Sequence, residues 1–254
     1  MSDTSCETLD LKRPSPAADA RRPAPPAAVV PPEVPAYMHE VYDWAYVNPA
    51  WVRWLDHNIV VKTLLFGNDR RLMRRYLERL RPGMRVWQVA HVYGDLVRLA
   101  AQRVGPDGAF DLTDITPIQI AHGKRKIGAL PWTRVIRQDA GIHRGDASKP
   151  YDLVCSFFLL HEVPDDWKRR IVDNMLEQVP ASGEAIFVDY HAPARWQPVR
   201  YILKWVNRLL EPFAEALWEH EIAHFASRAD EFEWHKETIF GGVYQIVRAR
   251  RRQP

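Results

Sequence analysis

The chain has 254 residues, 46% of them hydrophobic and 26% charged, with a formal net charge of +3. That balance suits a soluble globular fold and excludes a collagen-like or wholly disordered chain, and so small a surplus of charge predicts no nucleic-acid partner. Two cysteines give no disulfide framework, no segment reaches the roughly 20 apolar residues of a membrane span, and no apolar secretory core is present, so a cytoplasmic protein is expected.

Residues 1–36 hold eight of the twenty prolines and almost no apolar periodicity, and read as a disordered Pro/Ala-rich arm. The remainder, 37–254, reads as a single domain: a helical cap (37–80), a strand–helix core (81–192), a helical lid (193–235), and a closing hairpin with a basic tail (236–254). In the cap, Asn48-Pro49 opens a helix over 49–66 with Val52, Leu55, Ile59, Leu64 and Phe66 near one face. A second helix follows over 69–80. Strands are expected over 84–90, 109–115, 134–138, 151–158 and 185–190, with helices over 94–104, 117–127 and 165–179. This alternation implies a doubly wound parallel sheet with helices on both faces. Beyond it, Val199, Ile202, Leu203, Val206, Leu209, Leu210, Phe213 and Leu217 form an apolar stripe, with Arg200, Lys204 and Arg208 opposite and a break at Pro212. The hairpin turns at Gly241-Gly242. The tail from Arg248 to Arg252 reads equally as a solvated end or as a contact for acidic phospholipid.

Ligands of open α/β sheets bind at the carboxyl ends of the strands. In order, those ends read Gln88-Val89-Ala90-His91-Val92-Tyr93-Gly94, Asp114-Ile115, Gln138-Asp139-Ala140, Leu160-His161-Glu162-Val163 and Asp189-Tyr190-His191. A carboxylate placed like Asp114 can accept two hydrogen bonds from a cis-diol. Alone, it fits a helix N-cap as well.

This ordered set resembles the class I methyltransferases that bind S-adenosylmethionine (SAM), over roughly 80–247, and especially the ubiquinone/menaquinone C-methyltransferase group. The resemblance implies a Rossmann-like sheet, Asp114 and Ile115 at the SAM ribose, and Asp139-Ala140 beside adenine. The run from Leu160 to Asp165 matches that group's L-H-x-V-x-D. The first loop departs from the group's E-x-G-x-G-x-G, with Gln88, Ala90, Val92 and Gly94 at its four fixed positions. Glycine serves where the backbone needs positive φ, so a β-branched Val92 is expected to be strained.

That departure, together with Val41-Tyr42-Asp43-Trp44-Ala45-Tyr46 and the Trp234–Gly242 close, resembles the rhodoquinone biosynthesis protein family of purple bacteria. The resemblance implies that a methoxy group of ubiquinone is replaced by an amino group, with SAM as amino donor, a manganese ion (Mn²⁺) and no methyl transfer. It places the protein peripherally on the cytoplasmic face of the inner membrane, with possible association with quinone-synthesis enzymes. Gln88, Ala90 and Gly94 are then expected at the methionine part of SAM, and His91, Tyr93 and His161 at the chemistry. Glu162, Asp189 and His191 offer the carboxylate and imidazole donors that manganese prefers. Tyr42 and Tyr46, with Trp44, cover the cofactor or stack on the quinone ring. Two other readings stay open: a SAM-dependent methyltransferase acting on a quinone or lipid-like acceptor, and a non-catalytic methyltransferase-like scaffold of quinone synthesis. The ten histidines read as scattered, so no structural zinc site is expected.

Overall fold

Seven strands form one sheet in a computed structural model that describes residues 33–35, 38 and 56–253. Most of the arm, Tyr42, Trp44, Tyr46, and the start of the cap with Val52 and Leu55 lie outside the described residues.

Helices α1 (Asn58–Leu64) and α2 (Asp69–Leu77) lead into β1 (Arg85–Val89), α3 (Leu96–Val104), β2 (Ala109–Asp114), α4 (Pro117–Ile127) and β3 (Thr133–Arg137). Then come β4 (Leu153–Phe157), α5 (Asp165–Glu177), β5 (Glu184–Tyr190), α6 (Val199–Leu209), α7 (Ala216–Glu219), β6 (Phe232–Ile239) and β7 (Tyr244–Arg251). The strand order is β3-β2-β1-β4-β5-β7-β6. The first five run parallel, and β7 is antiparallel to both its neighbours.

Every residue of β4 is buried, as a central parallel strand covered on both faces requires. Alternation along the strands divides the core. Val86, Ile186, Val188 and Ile246 meet Leu72 and Tyr76 of α2 and Val97 of α3 on one face. Trp87, Phe187 and Val247 meet Ile171, Val172 and Met175 of α5 on the other. Lys168 is wholly buried, and its ammonium donates to Val163 O (2.8 Å), Asp165 Oδ1 (2.8 Å) and Phe213 O (2.9 Å). All three donors are thus used, and they tie α5 to the chain beyond α6.

Three expectations change. Ile59 is 79% exposed and Leu64 also faces solvent, so α1 does not bury the face that its periodicity suggested. The apolar stripe divides at α6, which ends before Pro212. Val199 and Leu203 are buried, while Ile202 and Leu209 are exposed, because only a narrow face of this helix meets the body. The basic C-terminus is not a free tail, because Arg248 to Arg251 belong to β7. Arg250 Nε donates to Glu184 Oε2 (2.6 Å) and Arg251 Nη1 to Glu231 Oε2 (2.7 Å). Among the described residues, no helix is long and apolar enough to cross a membrane.

Candidate functional site

The strand order reverses between β1 and β4, where a doubly wound sheet opens a crevice. A cavity of about 360 Å³ lies there. Two non-glycine residues just past these neighbouring strands take left-handed backbone angles: Ala90 (φ 64°) and Phe158 (φ 53°). Each costs roughly 1–2 kcal/mol, and both line the cavity. Ala90 therefore keeps the conformation for which a glycine is usual. Val92, expected to be the strained residue, does not have positive φ. Gly94 does (φ 77°), and a Cβ on it would come 2.9 Å from Asn58 Oδ1, so this position requires glycine.

Gln88 and Gly94 do not line the cavity, contrary to expectation. Gln88 sits inside the sheet, wholly buried, with Nε2 only 3.5 and 3.4 Å from the carbonyls of Val89 and Ala90. The Gly94 amide donates to Asp56 Oδ1 (2.9 Å), and Lys126 Nζ bridges Asp56 Oδ1 (2.5 Å) and Gly94 O (2.8 Å). This clamp fixes the loop from outside the cavity.

Asp114, Ile115, Asp139 and Ala140 line the cavity. Asp114 Oδ2 accepts from the His91 amide (2.9 Å), and Oδ1 accepts from the Thr116 amide and hydroxyl (both 2.8 Å). The Ile115 amide adds a further donor, so the roughly four acceptor positions of this carboxylate are largely taken by the loop itself. Burial raises the Asp114 pKa, against the pull of these hydrogen bonds. Asp139 accepts from the Gly141 amide (2.7 Å) and pairs with Arg170 Nη2 (2.8 Å).

His91, Tyr93, His161 and Glu162 line it as well. Gln119 Nε2 of α4 donates to the Tyr93 hydroxyl (2.7 Å). Among the described residues neither ring nitrogen of His91 meets a partner at full hydrogen-bond geometry, with the Gln119 side chain a polar neighbour acting on it. Burial, then the charge of Lys126 and the neighbouring His122, hold its pKa well below the ordinary imidazole value, so His91 is neutral at pH 7. His161 has the opposite state. Burial alone would lower its pKa, but the Asp189 carboxylate overrides this and pushes it up to about 9. Asp189 Oδ1 lies 2.8 Å from His161 Nδ1, and Asp189 is itself held by the amides of Leu160 (2.8 Å) and Tyr190 (2.8 Å). The same cavity is also lined by the apolar side chains of Leu65, Met73, Phe157, Leu203, Val206 and Leu210, with Asp69, Asn207 and Glu211 among them.

The three expected manganese ligands are not brought together. β5 ends at Tyr190, and His191 turns toward the hairpin, donating from Nδ1 to Gly242 O (3.0 Å) with Nε2 3.4 Å from Lys236 Nζ. Glu162 Oε1 lies 3.7 Å from His161 Nε2, and Asp189 is occupied by its three donors. Among the described residues, no group of three or more His, Cys, Asp or Glu is placed to hold a metal ion, so these residues do not fit the manganese site.

Phe158, Gln119 and the Asp56–Lys126 clamp were not among the expected site residues. The signal for part of them was present: Gln119, His122 and Lys126 recur at i, i+3 and i+7 on one face of α4. The histidines are also less scattered than they read. His220-Glu221-Ile222-Ala223-His224 has the H-E-x-x-H spacing of helical zinc sites. Here that run starts at the C-cap of α7 and ends on a 3₁₀ turn (Ile222–Phe225) away from the cavity, with the two rings stacked at 4.1 Å and Glu221 paired to Lys236.

No family model matches the chain. Over 140 residues it is 27% identical to the ubiquinone/menaquinone biosynthesis C-methyltransferase UbiE of Idiomarina loihiensis, across 53% of this chain and 55% of that one. The chain thus spans about half the length of this relative. Among solved structures, an O-methyltransferase family protein from Burkholderia thailandensis superimposes with a TM-score of 0.59 at 14% identity, over 81% of this chain and 61% of that one. Human N-acetylserotonin methyltransferase, solved with SAM, gives 0.55 at 14% identity over 86% and 60%. The N-methyltransferase NodS from Bradyrhizobium japonicum gives 0.51 at 12% identity over 74% and 97%. The chain has the Rossmann-like class I methyltransferase fold.

Proposed function

We propose that this protein is a SAM-dependent transferase that replaces a ring methoxy group of ubiquinone with an amino group. One observation carries this reading: a single cavity holds a neutral imidazole, His91, and a charged one, His161. An amine attacks a ring carbon only when unprotonated, and the bond it forms leaves an acidic proton on nitrogen that a neutral imidazole beside it can accept. The neighbouring quinone carbonyl gains negative charge, which a fixed imidazolium stabilises. Asp114 and Ile115 would hold the SAM ribose, Asp139 and Ala140 the adenine, and Ala90 the methionine part. When bound, SAM would supply the nitrogen: the ring C–N bond forms as the methoxy leaves as methanol, loss of the SAM Cα proton then moves two electrons into the quinone, and water cleaves the resulting imine to an aminated quinol and an α-keto acid. His91 would take the proton released from nitrogen as the C–N bond forms, and His161, oriented by Asp189, would donate to the carbonyl oxygen. The apolar side chains of the cavity wall would accommodate a polyprenyl acceptor.

A second reading, methyl transfer to a quinone ring carbon, is favoured by the likeness to the C-methyltransferase. SAM labelled with ¹⁵N at the amino group and ¹³C at the methyl group separates the two. Mass spectrometry of the quinone after incubation with purified protein should find ¹⁵N on the ring. A ¹³C-methylated quinone, or no labelled product, would refute amination.

A further inference from the structure

We infer that the outer face of α6 docks on an anionic phospholipid bilayer, so that the acceptor enters the cavity directly from the leaflet. This rests on the apolar acceptor proposed above and not on which group is transferred.

Tyr201, Trp205 and Leu209 recur at i, i+4 and i+8, and are 70%, 72% and 61% exposed. Ile202 lies beside them, and Trp196, just before the helix, is 74% exposed. Soluble surfaces rarely gather so much aromatic area without a partner. Tryptophan and tyrosine are the side chains that settle at the headgroup level of a bilayer. A parallel row on the same helix, Arg200, Lys204 and Arg208, borders them. Arg200 donates to Pro193 O and lies over the Trp218 ring. Among the described residues, Lys204, Arg208 and the adjacent Arg195 meet no carboxylate. This is the charge complement of an anionic leaflet.

The third row of the helix gives the geometry its purpose. Leu203, Val206 and Leu210 belong to the cavity wall. Going round α6, the aromatic row lies between the basic row and this cavity row. A helix lying in the plane of the interface on its aromatic row, with the basic row in the headgroups, therefore brings the part of the cavity wall that α6 supplies to the membrane surface. Glu211, the nearest acid along the chain, is itself part of the cavity wall.

The test uses the full chain with vesicles of phosphatidylcholine alone or mixed with phosphatidylglycerol, in the absence of quinone and SAM. The protein should sediment with the anionic vesicles and less with the neutral ones. Added salt should weaken binding without abolishing it. Tyr201→Ser with Trp205→Ser should weaken it about tenfold or more on both compositions. Lys204→Glu with Arg208→Glu should weaken it about fivefold or more per residue on anionic vesicles only. These exposed changes leave the cavity lining intact, so turnover of a water-soluble short-chain quinone should persist while turnover of vesicle-borne quinone falls. A chain that stays off both vesicles, or a Tyr201/Trp205 variant that binds like the parent, would overturn the inference. So would a dimer in sedimentation equilibrium that Trp205→Ser dissolves, which would assign the face to a second copy. Failure of amination alone would leave the vesicle result standing.

Discussion

Asp189 Oδ1 lies 2.8 Å from His161 Nδ1, with both side chains almost wholly buried. A buried imidazolium persists only while its counter-charge does. The dyad therefore sets the protonation state of the group proposed to polarise the quinone carbonyl. Asp189→Asn keeps the shape and removes the charge, so His161 should become neutral at pH 7. The rate should fall by about 10²–10⁴-fold, and the alkaline limb of its pH profile should move down from about 9. An unchanged profile would remove His161 from the mechanism.

The stability of the fold should peak near pH 6.5, because two buried histidines are shifted in opposite directions. The folded-state pKa of His161 is raised to about 9, so its contribution is complete below 6.5 and is lost as pH rises toward 9. His143 is lowered to about 4, chiefly by burial, beside Trp87 and within hydrogen-bond reach of Gln138 and Tyr151. Its unfolded form binds a proton more readily, so stability falls as pH drops from 6.5 toward 4, by about 3 kcal/mol. Denaturant unfolding across this range should show both limbs. His161→Gln should flatten the alkaline limb and His143→Gln part of the acid one.

The sheet was legible because its strands differ in period and length from the helices between them. The helix over 117–127 agrees with its reading at both ends, where Pro117 and the Gly128 boundary mark it. Asp114, Ile115, Asp139, Ala140, His91, Tyr93 and His161 line one cavity because strand order alone brings parallel strand ends together. The positions that went astray depend on side-chain direction past a strand end. His191 lies one residue beyond β5, where the chain already follows the hairpin, with its amide donating to Val243 O (2.9 Å). Gln88 is still within β1 and points into the sheet's buried interior. No periodicity reports either turn. The exposed row of α6 was hidden for another reason: an apolar residue reads the same in sequence whether it meets the core or solvent.

Ala90 holds a left-handed φ of 64° at the end of β1. Ala90→Gly removes the steric cost but adds freedom to the unfolded chain, so a net stabilisation of about 1 kcal/mol or less is expected. Ala90→Val should destabilise by more than Gly stabilises, because a β-branched residue is poorly tolerated there. Chemical denaturation of the three proteins measures this. If all three were equally stable, the backbone at Ala90 would not be strained.

Asp114 serves two tasks, and its variants should separate them. Its carboxylate receives the His91, Ile115 and Thr116 amides, so it shapes the loop after β1, and it also lines the cavity at the proposed ribose site. Asp114→Ala would orphan backbone donors and should cost about 1–3 kcal/mol of stability. It should also weaken SAM binding by about 2–4 kcal/mol, from the loss of a charge-assisted hydrogen bond and an unpaired hydroxyl. Asp114→Asn keeps one carbonyl oxygen for Thr116 and turns an NH₂ toward the His91 amide or the ribose. It should retain more of the stability than Ala yet still lose most of the SAM affinity. Because burial raises the Asp114 pKa, SAM binding by the parent protein should also weaken as pH falls through that raised value, as the carboxylate takes up a proton. Isothermal titration across pH, beside unfolding of the same variants, reads both tasks. Unchanged SAM affinity in the two variants would refute the assignment of Asp114 to the ribose and, with it, the strand-end correspondence on which the site is built.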